Sequence, residues 1–324
     1  MILPLRTRGL LFVFALALLA VPLTGDRFWL QFLGKAMITC VLALSLDLLV
    51  GFTGLVSLAH AAFFGLAGYL LAGLSNHFGM TNALLTLPLC LLGAALAALL
   101  IGWLSLRAAG VYFIMVTLAF TQMLYYLFND APGLGGSDGL YVATRPRLAL
   151  GNWTLVDLSN GIAAYLAIWV ALVAVYLLLH RLLRAPFGRA LVGIRSNEPR
   201  MRSLGYPTRR YKLVAFVIAG ALAGLAGYLD ATLYGFVNPA HFGWRQSGLI
   251  LMTVLLGGKG TLYGPILGAL LITFLEHYGE RVTTHWSAVI GAVVIAVVIF
   301  LPRGVAALLD SQRSGQQSDE PQRG

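Results

Sequence analysis

Between residues 48 and 106 the chain contains no aspartate, glutamate, lysine or arginine. A water-soluble helix needs a polar face, so a stretch this long without charge reads as helices that are apolar all round. Such helices fill a large core or cross a membrane, and about 20 apolar residues suffice for one crossing. The rest of the chain is similar: 59% of its 324 residues are hydrophobic and 10% are charged, against about 25% charged in a soluble domain. That balance excludes a soluble enzyme, a disordered chain and a secreted disulfide scaffold. The reading is an all-α fold, a polytopic transmembrane helical bundle with interrupted helices.

Cutting the apolar runs at turn and charge signals predicts ten spans, at 10–25, 30–50, 56–76, 82–106, 109–129, 161–180, 212–234, 247–258, 262–278 and 285–301. The run at 10–20, behind Arg6 and Arg8, has some signal-peptide character. No clear small-residue cleavage site follows it, so a retained first helix is expected. Ten spans place both termini on one side. With that side cytoplasmic, the inner segments hold Arg6, Arg8, Arg107, Lys259, Arg303, Arg313, Arg323 and the whole loop 181–211. That loop carries eight arginines against one acid, Glu198, whereas the outside holds Arg27, Arg145, Arg147, Arg245 and Arg281, with Lys35 near an interface. This positive-inside asymmetry accounts for most of the net charge of +10 without a nucleic acid partner. Cys40 and Cys90 lie inside apolar runs and read as small buried hydrophobes, not as a disulfide framework or metal site. The expected organisation is a membrane domain at 1–305, with an external excursion at 130–160 and a cytoplasmic loop at 181–211. A polar tail at 306–324 is expected to be disordered.

The segment GGKGT at 257–261 is superficially like a phosphate loop. Position 253 is Thr253 where that pattern needs glycine, and Lys259 is followed by Gly260 where it needs a hydroxyl. Neither a catalytic constellation nor a cofactor or metal site is expected, so energy for transport must come from a partner or an ion gradient. More informative is GFTGLVSLAHAAFFGLAGY at 51–69. Membrane backbone leaves helical geometry only where protein or a water-lined cavity satisfies its polar groups. Gly51, Thr53 and Gly54, with Ser57 and His60 beside them, therefore suggest a broken helix near a translocation pathway. Close packing through small residues is the competing reading, and for His60 an interhelical hydrogen bond is favoured over a ligand role. Gly257 and Gly258 mark a second interruption, and paired interrupted segments point to a transporter built from repeats. LAGYLLAGL at 66–74 and LAGLAGYLDATL at 222–233 share a faint similarity of that kind.

In the cytoplasmic loop, Pro199 fits the first turn of a helix, where its missing N–H costs nothing. Gly205 supplies a left-handed stop and Pro207 blocks continuation, while Glu198 favours the helix N-terminus through the dipole. The result is a short basic helix of about two turns, suited to docking in a groove of a soluble partner.

Together, GFTGLVSLAHAAFFGLAGY, GGSDGL at 135–140, PFGRALVGIRSNEPRMRSLG, GGKGTLYGPILGALL at 257–271 and FLPRG at 300–304 carry a resemblance that runs over about 30–305. The chain resembles the LivM-type permease subunits of branched-chain amino acid ATP-binding cassette importers. The resemblance implies a transporter subunit with no chemistry of its own, and places Gly188, Arg189, Arg195, Glu198 and Gly205 in the segment that engages the ATPase. It further implies a second, LivH-like permease subunit, two ATPase subunits at the cytoplasmic face, an external solute-binding protein, membrane lipids and a bacterial inner membrane. The chain departs from the family in Phe52 and Leu55, where relatives commonly have Tyr and Gln, and in Ala59, Pro199 and Met201. The loss of Gln and Tyr polarity leaves urea or another small polar solute as an alternative to an amino acid. A self-sufficient proton-coupled carrier is the competing class, resting on Asp47, Asp230, Glu276 and His277 as ionisable residues in or near the membrane. Structural pairing or interfacial placement is the favoured reading for each of these. A non-transporting scaffold, the third class, is disfavoured by the two interrupted spans.

Overall fold

The computed structural model describes residues 17–150, 153–282, 285–301 and 304–306. Residues 10–16 of the first predicted span and all of the tail beyond 306 lie outside them. Asp26 starts α1 (Arg27–Asp47) by accepting a hydrogen bond from the Phe28 N–H. The helix then widens into a π turn at Leu48–Thr53, which Gly54 ends in the left-handed conformation. The following helices are α2 (His60–Phe78), α3 (Ala83–Ser105), α4 (Val111–Asn129) and α5 (Gly161–Arg184). Two short helices follow, α6 (Pro186–Ser196) and α7 (Glu198–Ser203), and then α8 (Thr208–Tyr234), α9 (Trp244–Gly257), α10 (Gly264–Val282) and α11 (Trp286–Phe300). The uncharged stretch is cut as its composition suggests: α2 stops at Gly79, with φ of +62°, and Asn82 caps α3. Pro88 is accommodated inside α3.

Among the described residues, five segments are long and apolar enough to cross a membrane: 27–53, α3, α4, α5 and α8. Burial sorts them. In the most apolar stretch of 27–53, 94% of residues are buried, against 17% in α4, so α1 is the axis of the bundle and α4 lies at its edge. A helix whose apolar residues run all round is suited to that central place. The bundle closes through small residues: a methyl on Gly220 would stand 2.3 Å from Cβ of Ala98, and one on Gly224 2.4 Å from Cβ of Ala94. Glycines four apart on one helix face let α8 and α3 approach closely where lipid gives no hydrophobic drive for association.

The connections fall at two ends of the bundle. At one end β1 (Leu140–Tyr141) pairs antiparallel with β4 (Phe236–Val237), and β2 (Arg147–Leu150) with β3 (Trp153–Asp157). Asn76, near the end of α2, donates to the Tyr141 carbonyl and accepts from the Ala143 N–H, both at 2.8 Å. Arg147 meets Asp157 at 3.3 Å. The excursion read from its turn formers as a loop is therefore a small folded cap, and four short strands join the otherwise helical bundle at this end. Their sequences are too short for a period of two to be visible. At the other end lie the π turn, the α6–α7 segment, the loop 258–263 and residues 304–306, where the Val305 N–H donates to the Leu256 carbonyl.

Candidate functional site

Three segments far apart in sequence meet at this second end. Asp47, the last residue of α1, is fully buried, and its Oδ1 accepts the Gly260 N–H at 2.8 Å. Arg195, near the end of α6, donates to the Gly51 carbonyl, which the π turn leaves free, and its aliphatic stem lies over Gly54. Arg195 is also the cation that acts on the Asp47 carboxylate. Thus the first interruption, the second interruption and the basic loop 181–211 form one junction. Its glycines are required by geometry. A methyl on Gly51 would stand 2.1 Å from Oδ1 of Asp47 and 2.4 Å from the Gly260 nitrogen, and Gly260 has φ of +80°.

Thr53 is buried and returns its hydroxyl to the Leu49 carbonyl at 2.7 Å, while Ser57 accepts the Ala59 N–H at 3.1 Å. Both therefore serve local backbone. His60 is buried against Phe63. Its expected interhelical hydrogen bond is not formed in good geometry, the backbone of Ser45 being the polar group beside it. In the second interruption, Gly257 sits against the Gly264 carbonyl, and Gly258, with φ of +110°, packs on Gly304. The Gly258 and Gly260 amides are engaged by the Val254 carbonyl and by Asp47, so they cradle no phosphate.

The basic loop 181–211 is more ordered than its composition suggests. Pro186 opens α6 after α5, and Gly188 allows a turn so tight that a methyl there would meet Cα of Leu183 at 2.4 Å. Ala190, Leu191 and Ile194 bury one face of α6, while Arg189 and Val192 are exposed. Asn197 caps α7 by accepting the Arg200 N–H at 3.0 Å, Pro199 lies in the first turn, and Gly205 has φ of +85°. Met201, a departure from the resembled family, packs its sulfur on Gly193. Glu198 is the hub. It accepts from Lys212 at 2.5 Å, Arg202 at 2.8 Å and Thr208 at 3.0 Å. Burial would push its carboxyl up, but the hydrogen bonds from Lys212, Arg202 and Thr208 prevail and hold it below its ordinary value. Leu204 and Tyr206 stay exposed beside Arg200 and Arg202, an apolar spot in a basic rim.

Sequence reasoning picked out Gly51, Gly54, Asp47 and Arg195 for separate reasons and did not connect them. The available signal was the single acid ending α1 just before the charge-free stretch, because a buried carboxylate needs a donor. The 11-residue helix α6 was missed too. Of the other ionisable candidates, Glu276 pairs with Lys35 at 3.3 Å and His277 lies among Phe28 and Phe32, while Asp230 lies toward the opposite end, 3.9 Å from His241. Both cysteines are buried and free.

Residues 28–298 match the family model described as branched-chain amino acid transport system / permease component. The chain is 32% identical over 323 residues to the high-affinity branched-chain amino acid transport system permease protein LivM of Escherichia coli K12, covering 93% of this chain and 76% of that protein. It is 31% identical to LivM of Salmonella typhimurium LT2, over 96% of this chain and 78% of that protein. It is also 30% identical over 181 residues to the autoinducer 2 import system permease protein LsrC of Photorhabdus laumondii, covering 51% of this chain and 54% of that protein. No solved structure matches.

Proposed function

The chain belongs to the permease component family of branched-chain amino acid transport systems, and from that premise we propose that it is one membrane half of an ATP-driven importer of aliphatic amino acids. It is a multi-pass permease subunit, and ATP hydrolysis belongs to a separate subunit. In the proposed assembly a second, homologous permease chain completes the pathway in the bacterial inner membrane. Two ATPase subunits dock on loop 181–211, and a solute-binding protein delivers the amino acid at the opposite face. Ten crossings with residues before 10 and after 305 in the cytoplasm accord with the basic loop, the π turn and the 258–263 loop meeting at one end.

The observation that carries this reading is the hydrogen bond from Arg195 to the Gly51 carbonyl. It ties a helix on the cytoplasmic surface to the point where the central helix breaks. When nucleotide binding draws the ATPases together, a rod seated on them moves, and α6 moves with it. That displacement reaches α1 directly through Gly51, and α10 through Gly260 and Asp47, rocking the bundle from inward- to outward-facing. The permease is a conduit and a lever.

The test is uptake into proteoliposomes holding the complete assembly. With Arg195→Met, ATP-driven leucine uptake should fall about tenfold, the loss of one charged hydrogen bond, while binding-protein affinity and basal ATP hydrolysis persist. Uptake by this chain alone, driven by a proton gradient and indifferent to ATP, would overturn the reading.

A further inference from the structure

At the end of the bundle opposite the Arg195 junction, α1, α8 and the 236–242 turn enclose a cavity of about 300 Å³, the small end of the range for sites that surround a small molecule. Its lining is divided. Lys35, Asp230, His241 and Gln246 are polar, whereas Ile38, Leu42 and Phe64 are apolar. Lys35, Ile38 and Leu42 are spaced three and four apart, so one face of α1 presents a cation at the mouth and aliphatic side chains below it. Lys35 is half exposed and steadied by Glu276 at 3.3 Å.

Asp230 is the unusual member. It is 9% exposed, and among the described residues its closest basic atom is Nδ1 of His241, at 3.9 Å. That is beyond hydrogen-bonding distance. An ionisable group inside a membrane bundle is ordinarily paired or functional, and this one lines an open cavity with no donor bonded to it among the described residues. The opposite charge, Lys35, lines the same cavity from α1.

We propose that this cavity is a solute subsite, in which Asp230 receives the α-ammonium group of a zwitterionic aliphatic amino acid and Lys35 its α-carboxylate. Ile38, Leu42 and Phe64 take the side chain. An inorganic cation or a proton would have no use for the apolar lining, and a neutral solute would have none for two opposite charges. This assignment rests on the importer reading above and names the groups that would give it its substrate class. It also answers the loss of Gln and Tyr polarity at Leu55 and Phe52, since here the polar recognition comes from other residues.

The experiment is uptake of leucine and of phenylalanine, in competition, by proteoliposomes of the complete assembly. Size-exclusion chromatography verifies that each variant assembles. Asp230→Asn should lower leucine uptake about tenfold or more while ATP hydrolysis stimulated by the binding protein is kept. Leu42→Ala, which deepens the apolar wall, should raise the ratio of phenylalanine to leucine uptake several-fold, a change that mere loosening of the fold does not produce. Should Asp230→Asn fail to assemble, the Leu42→Ala ratio decides alone. An unchanged ratio, or unchanged leucine uptake in an assembled Asp230→Asn variant, overturns the subsite while leaving the importer intact. A wild-type assembly that takes up neither amino acid overturns the importer's solute assignment itself.

Discussion

Glu198 holds α7 to the helical bundle, and Glu198→Gln isolates its charge from its shape. The carboxylate takes hydrogen bonds from Lys212, Arg202 and Thr208, joining α7 to the start of α8. The Arg202 pair is two-thirds exposed on the arginine side, so it contributes about 0.3–0.5 kcal/mol. The Lys212 pair is different: the lysine is 16% exposed, and a hydrogen bond between charged groups there contributes about 1.5 kcal/mol. Gln keeps an acceptor for Thr208, so that bond survives. The loss is about 2 kcal/mol, and at 1.36 kcal/mol per factor of ten it raises the population of undocked α7 about 30-fold. Hydrogen exchange followed by mass spectrometry reads this directly, because local opening sets the rate. Amides of 200–204 should exchange about 30-fold faster in the variant, while those of α6, anchored by its own buried face, stay unchanged. An increase below about threefold would refute the assignment of Glu198 as the hub, and equal acceleration in α6 and α7 would refute the independence of the two helices.

The same carboxylate sets a pH dependence. Its folded value is depressed below 4.5, so its stabilisation is present above the unfolded value and is lost as pH falls through the folded one; α7 protection factors should be flat from about pH 8 to 6 and decline only below about 4.5, a decline that Glu198→Gln lacks. Close packing of α8 on α2 gives a further outcome. A methyl on Gly227 would stand 1.9 Å from the Phe64 carbonyl oxygen, whereas one on Gly73 meets nothing within 4 Å. Gly227→Ala should therefore cost about 1–3 kcal/mol by overpacking and lower the melting temperature in detergent, with Gly73→Ala leaving it unchanged.

How much was legible in the sequence depends on the range of the forces involved. Helix positions followed from runs of apolar residues and from turn signals between them, because both are contained within a few residues. The stop at Gly205 and the start at Pro199 were readable for the same reason. Helix α6 was not, since its apolar face of Gly188, Ala190, Leu191 and Ile194 is brief and embedded in arginines whose charge dominates the composition. Nor were the strands of the small cap, whose pairing of Tyr141 with Phe236 joins residues almost a hundred positions apart. His60 carried no signal that its ring nitrogens would lack well-formed hydrogen bonds, because the neighbours on the facing helix decide that.

The junction shows why a broken helix and a glycine loop need each other. At the π turn the Gly51 carbonyl loses its helical partner, and a buried carbonyl left alone is costly, so Arg195 has a place only because the helix breaks there. Asp47 is likewise buried at 0% exposure, and its donor, the Gly260 N–H, is presented by a backbone with φ of +80° that residues with a Cβ rarely adopt. A side chain on Gly51 would occupy the path between the two. Each element thus satisfies a polar group that another has exposed, and none can shift alone without leaving a buried group unpaired. In the proposed importer this mutual satisfaction is what makes the end of α1, the 258–263 loop and α6 move as one body when the cytoplasmic partner pulls.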